Sequence, residues 1–111
     1  MSAFAEVVEK SIEQLTGVGA AADEALVSAV AKGLGPSIYN LDSSLVAASD
    51  PEELERVKTN FLIGKLGLTD GPELDAAIAE TMATLKGINR KLRVVVYYLL
   101  VKKFGKEAIY S

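Results

Sequence analysis

The chain contains no cysteine and no histidine. Without cysteine, disulfides, thiol catalysis and thiolate metal sites are excluded, and the redox compartment is left open. Without histidine, the usual general base near neutral pH, the commonest metal ligand and every Ser-His or Cys-His nucleophile are excluded as well. No low-complexity tract, linker or convincing internal repeat interrupts the 111 residues. No apolar run approaches the about 20 residues that a membrane span requires. Residues 1–6 form no basic leader, and Glu6, Glu9 and Glu13 interrupt any stretch that could serve as a signal peptide, so the expected location is cytoplasmic.

What the chain has in plenty is apolar bulk. Half of it is hydrophobic, and a chain of this length forms one domain, spanning residues 1–111, with a single core that buries about 65 % of its unfolded surface. The most apolar stretch is residues 94–101, eight consecutive apolar residues between Arg90, Lys91 and Arg93 on one side and Lys102 and Lys103 on the other. Its β-branched and aromatic content also suits a buried strand, and periodicity does not separate the two. The flanks favour a helix: Asn89 suits an N-cap, Lys102 and Lys103 suit the negative end of the helix dipole, and Gly105 suits a left-handed C-terminal closure. A helix apolar on every side must be covered on every side, so the other helices are expected to pack around it.

Those helices are legible in turn. Phe4, Val8, Ile12 and Leu15 recur at helical spacing over residues 3–15, opposite Glu6, Glu9, Lys10 and Glu13. Gly17 and Gly19 break the pattern, residues 20–32 resume it with Leu26, Val27 and Val30 inward, and residues 33–36 end it. Asp50, Pro51, Glu52 and Glu53 form a strong start signal for a third helix, whose apolar face is Leu54, Val57, Phe61 and Leu62. Asp70 and Glu73 resemble a capping box around Gly71 and Pro72, opening a fourth helix striped by Leu74, Ile78, Met82 and Leu85. The tail after Gly105 ends in Ile109 and Tyr110 and is expected to dock on the body. The fold class is therefore all-α: a compact single-domain bundle of about five main helices around a buried C-terminal central helix.

The net charge of −3 is modest, but it is unevenly spread. Residues 86–106 hold seven cations and no carboxylate, while residues 42–55 hold five carboxylates and no cation. Such separation marks either an anionic partner or the basic ends of one helix facing acidic neighbours within the fold.

Residues 35–40 (Gly-Pro-Ser-Ile-Tyr-Asn), Asp42-Ser43-Ser44, the stretch 49–54, Asn60-Phe61-Leu62 with Lys65-Leu66-Gly67-Leu68, and Tyr97-Tyr98-Leu99-Leu100 with Phe104-Gly105-Lys106-Glu107 together resemble a small bacterial family, domain of unknown function 2853. The resemblance covers residues 26–110 and implies a compact all-helical protein. It implies no activity and carries over no site residues.

Several patterns imitate functional motifs. Gly17-Val18-Gly19-Ala20-Ala21-Ala22 fits the letters of a dinucleotide fingerprint, but that fingerprint must follow a strand, and residues 3–15 have helical period. Gly64-Lys65 is followed by Leu66 where a phosphate loop needs Ser or Thr. Asn40, Asp42 and Ser44 imitate an EF-hand start, but Val46, Ala48 and Pro51 then stand where the loop needs ligands. Glu52, Glu53 and Glu55 are accounted for by the dipole of a capped first turn. Gly35, Pro36, Ser37, Tyr39, Asn40 and Asp42 form an ordered connection that is either a site or a brace, with Ser37 able to offer donors to an anion if Pro36 opens a helical turn. Tyr97 and Tyr98 point to different sides of the central helix, so at least one hydroxyl needs a buried acceptor, and the 37–44 segment is the expected source.

The sequence implies no catalytic residues, no cofactor and no metal. The function expected first is a non-enzymatic domain that works through protein contacts, with an unidentified partner or a second copy, on apolar area that the body leaves uncovered. The alternative is an anionic ligand held by Lys86, Arg90, Lys91 and Arg93 of the basic segment, nucleic acid being disfavoured by the acidic balance of the whole. An enzyme without His or Cys would have to run on carboxylates, Ser, Lys or Tyr, and needs a convergent polar cluster in a pocket.

Overall fold

The last long helix of the chain, α5 (Arg93–Phe104), is walled in by the rest of the protein. A computed structural model describes residues 3–40 and 43–110, and among them Val94 to Tyr98, Leu100 and Val101 are all buried. The preceding helices are α1 (Ala3–Gly17), α2 (Glu24–Leu34), α3 (Pro51–Arg56) and α4 (Pro72–Thr84). Helices α1, α2 and α4 pack directly on α5, α2 also packs on α1, and α4 also packs on the segment that prolongs α3. The result is an all-helical compact globule of five helices, without strands among the described residues.

Helix α3 begins where the sequence predicts, with Asp50 accepting from the Glu52 N–H at 3.0 Å and Pro51 at the first position. It then widens into a π-helical segment, Val57–Ile63, which turns Phe61 and Leu62 inward together. Gly64 ends this segment at a close approach: a Cβ there would stand 2.7 Å from the Asn60 carbonyl oxygen. Phe61 stacks on Tyr97 of α5, ring centroids 3.8 Å apart.

Four local expectations need correction. Asn89 does not cap α5, which starts only at Arg93, with Leu92 as its extended N-cap residue. The reason is tertiary: residues 44–46 form a single antiparallel bridge with residues 91–93, in which Val46 N–H donates to the Lys91 carbonyl (2.9 Å) and Arg93 N–H to the Ser44 carbonyl (2.7 Å). Gln14 locks the same stretch from α1, its amide donating to the Arg90 carbonyl and its oxygen accepting from Leu92 N–H. Asp70 does not cap α4 either; Gly71 is the N-cap residue, without a side-chain bond, and Asp70 is 3.0 Å from Lys58 instead.

The third correction concerns α2, which starts at Glu24 rather than near Ala20, because Asp23 caps it by accepting from Ala25 and Leu26 N–H. The fourth concerns the buried tyrosine. Tyr98 finds its acceptor at Ala21 (2.8 Å), not in the 37–44 segment, and its hydroxyl accepts in turn from Asp23 N–H (2.9 Å). Gly105 does adopt the left-handed conformation at φ 65° and closes α5. The tail docks through Tyr110, which lies against Gly33 and under the Lys65 ammonium, while Ile109 stays exposed.

Candidate functional site

The basic segment does not form one patch. Arg93 points inward: Nε donates to the Ser43 carbonyl (2.7 Å), one Nη to the Tyr97 hydroxyl (3.2 Å), and the other to the Leu45 carbonyl (3.1 Å) and the Glu53 carboxylate. Burial pulls the guanidinium pKa down, but the hydrogen bond to Tyr97 and the carboxylate of Glu53 outweigh it, so the group is held above its ordinary value. Lys102 faces Glu107 at 3.5 Å and Lys103 faces Glu80 at 2.8 Å. Lys86 and Arg90 are exposed on the turn before α5, and Lys91, half-buried, donates to the Ile88 carbonyl at 2.6 Å.

Arg90 and Lys91 nevertheless meet a cation that the sequence reading passes over. With Asn89 they line a polar cleft of about 430 Å³ whose other wall carries Asp50, Glu53 and Arg56. Glu53 is the floor of this cleft, its side chain 9 % exposed, gripped by Arg93 from inside and by Arg56 from outside at 2.8 Å. Its hydrogen bond and charge raise the Arg56 pKa, against a smaller loss from burial. A signal for this inward Glu was present: Glu53, Val57 and Phe61 stand at spacing four, on one helical face. Arg56, one turn further round, had no such signal.

The 35–42 connection is held by its own hydrogen bonds. Gly35, at φ 67°, closes α2 and opens a 3-10 turn, Gly35–Tyr39, with Pro36 at its start. Ser37 Oγ donates to the Leu34 carbonyl (2.9 Å), and the Ser37 carbonyl accepts from Asn40 N–H and from Ser43 Oγ. Asn40 Oδ1 accepts from Ser43 N–H at 3.3 Å, and Tyr39 is 52 % exposed. Asp42 lies outside the described residues. Beyond this connection, the carbonyls of Ser43, Ser44 and Leu45 all accept from Arg93.

A second concavity has the opposite character. Between α1 and α2 runs a cleft of about 610 Å³ with Phe4, Ala5, Val8 and Ile12 as its apolar side, Ser28 opposite, and Glu9, Glu13 and Glu24 on its rims. Among the described residues these three carboxylates make no ion pair. No group of three carboxylates among the described residues is placed to hold a metal ion, and no helix there is long and apolar enough to cross a membrane.

Fold and surface together define a small all-α globule whose clefts include one lined by Asp50, Glu53, Arg56, Arg90 and Lys91 and one with an apolar side along α1. Residues 9–108 match the family DUF2853, a protein of unknown function, and the chain belongs to that family. No curated protein matches it.

Proposed function

We propose that this chain is a non-enzymatic helical domain that works by binding another protein. The observation that carries this reading is the apolar side of the α1–α2 cleft, formed by half-buried Phe4, Ala5 and Ile12 with buried Val8 beneath them. The central helix offers no comparable surface, since Leu99 alone of residues 94–101 is other than fully buried. An apolar surface that the fold leaves open, rimmed by charge, is what a contact site looks like on a small protein.

A photo-reactive residue placed in the cell at Ser28, which lines the cleft, tests the reading against one at Ala76, exposed on α4. The expected result is a discrete protein adduct from position 28 and not from position 76. Equal labelling, or none, contradicts it.

One observation supports a second reading, an anionic ligand. Arg56, Arg90 and Lys91 line one cleft, and a phosphate there would gain three cations against the carboxylates of Asp50 and of Glu53, the latter already paired with Arg56 and Arg93. In that case inorganic phosphate raises the melting temperature, the rise shrinks with salt, and Arg90→Glu removes it.

A further inference from the structure

We propose that the occupant of the α1–α2 groove is a cationic amphipathic helix of a partner protein; this rests on the protein-contact reading above. Two physical facts select it. The apolar floor extends from Phe4 to Ile12 along α1, about two turns or roughly 12 Å, so it matches a helix that presents apolar residues at spacings of three and four. An added strand has nothing to pair with, since no strand edge exists among the described residues.

The rims decide the charge. Glu9 and Glu13 stand on the α1 side and Glu24 on the α2 side, and none of the three is in an ion pair among the described residues. Lys10, between Glu9 and Glu13 in sequence, shares one adjoining cleft with Glu6, Glu9 and Glu13 and another with Glu13 and Arg90 rather than lining this groove, so one cation stands near three rim carboxylates and the rims stay net negative. A ligand helix with Lys or Arg flanking its apolar stripe would neutralise both rims, whereas an acidic helix or an anionic bilayer would be repelled.

A second copy of the chain is a poor fit. Of its exposed cations, Lys86 and Arg90 sit on a turn without an apolar helical stripe, Lys102, Lys103 and Arg56 face Glu107, Glu80 and Glu53, Lys65 lies over the Tyr110 ring, and Lys10 and Lys32 stand on α1 and α2, whose apolar residues chiefly line this groove or pack in the core. The occupant therefore comes from another protein.

The test uses three synthetic helices of about four turns with one apolar stripe and Lys, Gln or Glu flanks, titrated into the full chain at low salt. The proposal expects the Lys helix to bind, with chemical-shift changes centred on Phe4, Ile12 and Ser28, and the Glu helix to bind at least about tenfold more weakly. Ser28→Trp, which fills the groove without emptying the core, abolishes binding, and a Glu9→Lys/Glu13→Lys variant weakens it about tenfold; a retained melting temperature shows that both variants fold. Equal affinity for the three helices overturns the charge assignment while leaving the groove as a contact site. Binding that survives Ser28→Trp places the contact elsewhere and overturns the proposal. Concentration-dependent self-association that Ser28→Trp abolishes makes a second copy the occupant and overturns it too. If no helix binds while position 28 still gives a discrete protein adduct in the cell, this proposal falls and the protein-contact reading stands; if neither is seen, both fall.

Discussion

Arg93 at the start of α5 and Glu53 in the first turn of α3, 40 residues apart in sequence, form an ion pair whose side chains are 15 % and 9 % exposed. The pair sets the position of the guanidinium that holds residues 43–45. The same guanidinium that meets Glu53 also receives the carbonyls of Ser43 and Leu45, so one side chain ties α3, α5 and the connection together. Removing one partner of such a pair leaves the other charge buried, which costs about 3–5 kcal/mol. Arg93→Ala is therefore expected to lower the melting temperature by more than about 10 °C. Arg93→Lys keeps the charge but not the planar fork and falls between Ala and wild type. A Glu53→Leu/Arg93→Met double variant should lose less than the sum of its single variants in a chemical-denaturation cycle; additive losses would mean that the pair is not coupled.

Tyr98 is the second long-range tie. Its hydroxyl bridges the Ala21 carbonyl and the Asp23 N–H, fixing the approach to α2 from the centre of the core. Tyr98→Phe leaves both backbone groups short of a partner, with an expected loss of about 1–2 kcal/mol in urea denaturation. An unchanged midpoint would show that water replaces the hydroxyl there.

Gly64 has helical dihedrals, φ −69° and ψ −48°, a setting in which alanine ordinarily stabilises. Here the Asn60 carbonyl stands where the new methyl would go. Gly64→Ala is therefore expected to destabilise, by about 1–2 kcal/mol, through displacement of the π-helical segment and of the Phe61–Tyr97 stack. A rise in melting temperature would contradict the close approach.

Burial, with a smaller contribution from Tyr97, pushes the Tyr110 hydroxyl up to about 12. The folded state thus keeps this proton more firmly than the unfolded state, whose phenol loses it near pH 10. The stabilisation is fully present below about pH 10 and is lost as the pH rises through about 12. Tyr110→Phe is expected to flatten the fall of melting temperature in that window and to remove the tyrosinate component that titrates near pH 12. The same alkaline slope in the variant would assign the effect to another group.

Much of this fold was legible from local pattern. The apolar run of 94–101, the Asp50-Pro51 start and the Gly105 stop each follow from residues within one or two turns, and each is found in place. The errors share a cause. Asn89 and Asp70 have the right chemistry for caps, but Asn89 sits before a stretch held extended by the 44–46 bridge, and Asp70 is drawn to Lys58. Such pairings cross tens of residues and leave no periodic trace. At the surface the sequence left two readings of the seven cations, an anionic partner or acidic neighbours within the fold, and could not choose because the partners are distant: Arg93 turns inward to Glu53, and the two lysines at the end of α5 meet carboxylates of α4 and the tail. The apolar cleft was not legible for another reason: Phe4, Val8 and Ile12 do face the core as their spacing predicts, and only the packing of α2 shows that Phe4 and Ile12 also line a groove.

The claim on which the rest depends is that α5 is the organising element, buried on all sides and last to open. Residue-resolved hydrogen exchange tests it most directly. The amides of Val96 to Val101 are expected to be the slowest in the chain, with an opening free energy equal to the global unfolding free energy from denaturant. If those amides exchange faster than the amides of α1 or α4, α5 opens on its own and the account of the fold is wrong.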